Sequence, residues 1–164
     1  MEYEYDLCIL GAGPGGYVGA IRAAQLGMKV AVVERDKAGG VCLNWGCIPS
    51  KALIRQAEIF RDSAELEQMG VTVDTSGFDY GKVQQKSRTA AETLSKGVAY
   101  LLKKHKVEFI QGTGFISGAH EITVNGNTTV TAQNLLIATG SRPMELPGFE
   151  VDGEKIIDSN HALQ

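Results

Sequence analysis

Two cysteines, Cys42 and Cys47, stand with four residues between them in the run Gly39-Gly40-Val41-Cys42-Leu43-Asn44-Trp45-Gly46-Cys47-Ile48-Pro49-Ser50-Lys51. Upstream lies Gly11-Ala12-Gly13-Pro14-Gly15-Gly16, which has the form of a dinucleotide-binding fingerprint. A thiol pair beside a dinucleotide can pass electrons between a disulfide and a cofactor ring. Either feature alone is ambiguous. Together, in this order, they point to redox chemistry.

Each glycine of the fingerprint has a task. Gly11 permits a tight turn out of a strand, Gly13 lets backbone approach a pyrophosphate, and Gly16 lets helix and sheet pack closely. The helix that follows offers free N–H groups and a partial positive charge to phosphates. Glu34 lies 18 residues beyond Gly16, at the end of the next strand, where an acid binds ribose hydroxyls. The plainer alternative is a glycine-rich turn with a surface glutamate.

The cysteine spacing is wider than in thioredoxin-type pairs. A loop leading into a helix can still bring both sulfurs within disulfide reach, with Cα atoms roughly 4.4–6.8 Å apart. Gly46 supplies a bend. Cys47 near a helix start has its thiolate favoured by the dipole, and Lys51 adds positive charge. Pro49 suits an early helical position. Two other readings stay open. Structural zinc needs four ligands, and Cys8, His105, His120 and His161 show no paired spacing. Inert buried thiols are common, and Cys8, inside an apolar strand, is read that way. The histidines read as surface or loop residues. A third motif, Leu136-Ile137-Ala138-Thr139-Gly140-Ser141-Arg142-Pro143, is a strand ending in small residues that brings backbone close to something, with a plain strand exit as its alternative.

These groups need elements to position them. Tyr5 to Leu10 reads as a buried parallel strand, Pro14 to Leu26 as a helix closed by Gly27, and Lys29 to Val33 as a second strand. That is a βαβ unit of about 30 residues. Residues 46–68 should be helical, with Ala52, Leu53, Ala57, Ile59, Phe60 and Leu66 on a broad apolar face. Residues 70–78 read as an irregular linker with some strand character. A long amphipathic helix over 78–104 carries Val83, Ala90, Leu94, Val98, Leu101 and Leu102. Val107 to Gln111 is a parallel strand; residues 113–131 read strand, turn, strand around Asn125-Gly126; Asn134 to Ala138 is one more strand. Residues 153–164 start a strand and then a helix. Residues 1–143 form the binding domain, and 144–164 a linker flanked by Pro143 and Pro147. The fold class is α/β, a Rossmann-like parallel sheet with a β-hairpin or meander insertion.

Composition sets outer bounds. The 164 residues suit one domain, and 43% hydrophobic with 21% charged residues is ordinary for a globular protein. A net charge of -3 gives no electrostatic reason to expect nucleic acid or an anionic membrane. No signal core and no apolar run near the ~20 residues of a membrane span is present, so the chain reads as soluble and cytoplasmic. Three cysteines in such a chain favour catalysis, metal binding or core packing over a disulfide framework.

The motifs together resemble those of the flavin-dependent disulfide reductases, and within that family the dihydrolipoamide dehydrogenases. The resemblance covers essentially the whole chain, and the run Gly39 to Lys51 is its most specific part. Glutathione reductases usually carry a second lysine where Ser50 stands; mercuric reductases differ around the same stretch. The resemblance implies FAD bound by Gly11, Gly13, Pro14, Gly15, Gly16, Glu34, Arg35, Gly40, Val41, Cys42, Lys51, Gly114 and Ala138-Thr139-Gly140-Ser141. It implies that Cys42 exchanges with the dithiol substrate, that Cys47 lies nearer the flavin, and that Lys51 tunes the ring. Gly114 would meet the adenine end through backbone. Dihydrolipoamide would reduce the Cys42–Cys47 disulfide, the dithiol would reduce FAD, and NAD⁺ would take the hydride. Implied partners are lipoyl domains of 2-oxoacid dehydrogenase or glycine cleavage complexes, with homodimerisation of the full enzyme. The family also has a second Gly-x-Gly-x-x-Gly, a later Gly-Asp segment and a C-terminal interface domain with a His–Glu pair. This sequence shows none of them, so it reads as a portion of a longer enzyme, inactive by itself. The competing readings are a stand-alone flavin-binding relay module, another flavin disulfide reductase of the mercuric or glutathione reductase kind, or a nucleotide-binding structural protein with inert cysteines.

Overall fold

The computed structural model describes residues 3–164. They divide into two compact units. One takes in the chain up to Cys42 together with Leu94–Arg142; the other takes in Leu43–Thr93 and Pro143–Gln164.

The first unit is built on a six-stranded sheet, in the order β3-β2-β1-β6-β5-β4. β1 (Tyr5–Leu10), β2 (Val30–Glu34) and β3 (Glu108–Gln111) run parallel, with Cys8 opposite Ala31 and Val33 opposite Ile110. β1 also pairs in parallel with β6 (Thr128–Ile137), Cys8 facing Leu135. Cys8, Ile9, Ala31, Val32 and Val33 are essentially inaccessible, the burial on both faces that parallel strands require. Helix α1 (Pro14–Gln25) buries Gly16, Ala20 and Ala23, and its small residues let it lie close on Ile9. β4 (Gly114–Gly118), β5 (Glu121–Val124) and the first half of β6 form an antiparallel meander. Its Ile122, Val124, Val130 and Ala132 join Cys8, Ala31 and Val33 in one apolar cluster.

The α/β class, the parallel sheet and the meander follow the sequence expectation. The Asn125-Gly126 turn does too: both residues have positive φ, 51° and 75°, and the Asn127 N–H closes on the Val124 carbonyl. The strand boundaries differ. The meander has three strands where two were expected, because the chain turns back between Gly118 and Glu121 and divides the first into β4 and β5, while β6 does not stop at the polar Gln133-Asn134. It changes partner instead, from β5 up to Thr131 to β1 along Ala132–Ile137.

In the second unit, α2 (Gly40–Asn44) ends, α3 (Cys47–Gln68) follows, and α4 (Tyr80–Lys104) begins. Lys86 Nζ donates to Gln56 Oε1 at 2.9 Å, and the Phe60 and Phe78 rings meet at 4.8 Å. The apolar face expected on α3 exists but is not buried: Ile59, Phe60 and Leu66 are exposed, and Pro49 is the buried residue of that helix. Residues 70–78 and 153–158 contain no strand. At the second place the Asp152 carboxylate takes the N–H groups of Glu154, Lys155 and Ile156, which turns the backbone out of extended pairing. A short α5 (Ser159–Ala162) follows, capped by Asp158.

Along α4 the buried stripe is Ser87, Ala91, Ser95, Val98 and Leu102, while Leu94 and Leu101 are exposed. Val98 and Leu102 of the expected apolar face are buried, while its Leu94 and Leu101 give way to Ala91 and Ser95. Two serines escape an apolar count because each is satisfied by a buried carbonyl: Ser87 Oγ donates to Pro49 O at 3.0 Å and Ser95 Oγ to Ala38 O at 2.7 Å.

Candidate redox and cofactor site

The phosphate-turn residues converge where β1 ends. Gly11 leaves the strand at φ 106°, and a Cβ there would strike the Ala138 carbonyl. Gly16 faces the Gly11 carbonyl so closely that no side chain fits. Gly13 is the N-cap of α1, extended at φ -72° and ψ -176°, with Pro14 following and no side chain capping the helix. The first N–H groups of a helix have no acceptor within it. This end therefore presents donors and the positive end of a dipole, with Pro14 and Gly15 exposed and Gly13 half-buried.

Glu34, at the end of β2, uses both oxygens on backbone. Oε2 accepts the Ala12 N–H and Oε1 the Asp36 N–H, each at 2.8 Å. The acid thus ties the fingerprint turn to its own loop, and each oxygen keeps a second lone pair for a hydroxyl. Arg35 beside it is exposed.

The cysteine run starts on this turn. Gly40 has φ 68°, and a Cβ on it would lie 2.7 Å from Gly13 Cα and 3.3 Å from Pro14 Cδ. The Gly39 N–H donates to Ala12 O at 2.9 Å. Two glycines back to back bring the phosphate turn and the first cysteine's helix into contact. Val41 is exposed and Cys42 half-buried.

Cys42 and Cys47 are disulfide-bonded, and Cys8 is a free thiol. Cys42 sits on α2, not on a loop as expected. Helical backbone advances about 1.5 Å per residue against roughly 3.3 Å when extended, so one turn draws the two sulfurs together. Cys47 is exposed and opens α3 behind Gly46, at a helix start with no side-chain cap. Cys8 differs: burial, then the Glu4 carboxylate, pushes its thiol up to about 11.

The remaining expected residues divide by unit. Ala138 joins the fingerprint through its N–H to Leu10 O at 2.9 Å, and lies opposite Gly15, while Thr139, Gly140 and Ser141 are exposed. Gly114 opens β4, where a Cβ would meet Leu10, Val33 and Ile122, so packing alone demands glycine. Lys51 is exposed on α3 in the second unit. Sequence reasoning passed over Asn44, Ser87 and Arg88. Arg88 Nη1 donates to Asn44 O at 3.0 Å, and its guanidinium lies 5.2 Å from the Trp45 ring centre. A lone arginine in a polar helix gives no signal of this in sequence. No group of three His, Cys, Asp or Glu side chains that could hold a metal occurs among the described residues.

Comparison with known proteins gives the arrangement a family. The dihydrolipoyl dehydrogenase of Bacillus subtilis (strain 168) is 48% identical across 100% of this chain, which matches 37% of that relative. Those of Zymomonas mobilis and Geobacillus stearothermophilus are 46% and 47% identical, over 100% and 98% of the chain. The chain spans about a third of the length of these relatives. Among solved structures, the Cu(II) complex of the HOCl-induced flavoprotein disulfide reductase RclA from Escherichia coli shares the fold, with TM-score 0.74 and 24% identity over 90% of this chain and 31% of that one. The family model described as pyridine nucleotide-disulphide oxidoreductase matches residues 5–164. The chain belongs to the pyridine nucleotide-disulphide oxidoreductase family.

Proposed function

We propose that the chain is the FAD- and disulfide-bearing portion of a dihydrolipoyl dehydrogenase, which oxidises dihydrolipoamide and reduces NAD⁺. One observation carries this reading: the run that holds the Cys42–Cys47 disulfide begins packed on the phosphate turn, Gly40 against Gly13.

The residues present fit FAD. A side-chain-free cradle at Gly11, Gly13, Gly15 and Gly16 leads into an uncapped helix end, suited to a pyrophosphate. Glu34 retains lone pairs for ribose hydroxyls. We assign Ala138 to Ser141, Gly40, Val41 and Cys42 as further FAD contacts, together with Arg35 and Gly114, and Lys51 to the ring. Bound there, FAD would supply the two-electron chemistry that links the Cys42–Cys47 dithiol to NAD⁺.

The chain's own step is thiol–disulfide exchange. A thiolate of dihydrolipoamide attacks one sulfur of the pair, which we assign to Cys42, and Cys47 leaves as thiolate. The second substrate thiol then displaces Cys42, closing the lipoyl disulfide. Two electrons have passed from substrate to the pair; the proton of the second substrate thiol goes to Cys42, and Cys47 is left as thiolate. The dipole of α3 stabilises Cys47 as leaving group, and hence as the thiolate that is then held. Residues 1–143 form the binding domain, and 144–164 connect it onward. The partners are lipoyl groups of 2-oxoacid dehydrogenase or glycine cleavage complexes, and the complete enzyme is a cytoplasmic homodimer. No helix of the described residues is long and apolar enough to cross a membrane.

The test is mass spectrometry after dihydrolipoamide treatment and alkylation. Labels on Cys42 and Cys47 are expected, with Cys8 unlabelled until denaturation. A disulfide that dihydrolipoamide cannot open would overturn the proposal. Equal opening by glutathione would move it to a different thiol substrate.

A further inference from the structure

Arg88 is a charged side chain in the second unit that the steps above do not use. Its Nε and Nη2 are buried and have no hydrogen-bond acceptor. Buried guanidinium N–H groups without acceptors carry a cost, so the position is held by what the rest of the group does. Nη1 donates to the carbonyl of Asn44, and the guanidinium lies over Trp45 at 5.2 Å, within cation–π range. The preceding residue acts in parallel: Ser87, 1% exposed, donates its hydroxyl to the carbonyl of Pro49 at 3.0 Å. Two successive residues of α4 therefore grip the backbone on either side of Cys47, three residues before it and two after.

We infer that Ser87 and Arg88 are positioning residues that set the reduction potential of the Cys42–Cys47 couple by holding the intervening backbone in its disulfide geometry when the bond is open. This rests on the reading of that disulfide as redox-active. A disulfide's stability relative to its dithiol depends on how well the fold keeps the two thiols within bonding distance, since an ordering cost already met need not be met at ring closure. Loosening Asn44 to Pro49 lowers that effective concentration and makes the disulfide easier to reduce. Arg suits the task because its planar fork donates and stacks at once, which an ammonium does not.

The experiment equilibrates the chain in dithiothreitol redox buffers at fixed pH, traps thiols with iodoacetamide and counts labels by mass. Dithiothreitol cyclises as it gives two electrons and two protons to the pair, so the buffer ratio at half-reduction reads the potential. Arg88→Met should move that ratio about tenfold toward the dithiol, which is about 30 mV less negative for a two-electron couple. Arg88→Lys should fail to restore it, and Ser87→Ala should move it the same way by a smaller factor. Trp45 is the only tryptophan of the chain, so its emission reports the segment directly. The Arg88→Met emission should shift red with the disulfide intact. Circular dichroism selects folded variants; if Arg88→Met does not fold, Arg88→Lys and Ser87→Ala carry the comparison. Folded variants that half-reduce within twofold of the natural chain would overturn the inference and leave the proposed function standing. A natural chain that dithiothreitol cannot reduce at any ratio would overturn both.

Discussion

Burial in β1 pushes the Cys8 thiol up to about 11, so near neutral pH it stays protonated and out of exchange. Alkylation of the reduced, folded chain at pH 8 should label Cys42 and Cys47 and leave Cys8 untouched; three labels would mean that β1 opens. The same shift has a sign in stability. A thiol whose pKa is raised by folding stabilises fully below the unfolded value, about 8.5, and that contribution is lost as pH rises through about 11. Relative to Cys8→Ala, the natural chain should therefore lose stability between pH 9 and 11 in a series of urea melts. The structural roles of Gly11 and Gly16 were legible in sequence because sterics leave them no substitute. The grip of Glu34 on two backbone N–H groups was not, since an acid after β2 reads the same whether it binds ribose or its own loop. Gly11→Ala places a Cβ on the Ala138 carbonyl at φ 106° and should cost at least about 2 kcal/mol by chemical denaturation, with FAD binding weakened in parallel.

At the scale of elements, β1, α1 and β2 announce themselves through apolar runs and a glycine stop. The continuous β6 does not, because a strand that changes neighbour midway keeps no single alternation of apolar and polar residues. Helix α4 shows the same limit. Its apolar spacing suggests a face through Leu94, Val98, Leu101 and Leu102; Val98 and Leu102 are buried, but the rest of the stripe passes through Ser87, Ala91 and Ser95. Leu102→Ala should therefore cost about 2–5 kcal/mol, and Leu101→Ala, 39% exposed, under about 1 kcal/mol. Thermal melts of the two variants that agreed with each other would refute this placement of the stripe.

For the molecule as a whole, the assigned flavin contacts fall almost entirely in the first unit, and the Ser87 and Arg88 hydrogen bonds fall in the second. That division explains what sequence could reveal. A fingerprint within one βαβ unit is local in the chain, and it was legible. The clamp by Ser87 and Arg88 joins residues 38 and 44 positions apart, and no periodicity records such a pairing. The first unit should retain a flavin-binding turn even when the cysteines are replaced, so Cys42→Ser should bind FAD but give no response to dihydrolipoamide. The most direct test of the central claim is the visible absorption spectrum of the chain reconstituted with FAD, followed through titration with dihydrolipoamide. The expected result is a protein-bound flavin whose spectrum changes as the Cys42–Cys47 pair is reduced. A flavin that keeps the spectrum of free FAD throughout, with the pair fully reduced, would contradict it.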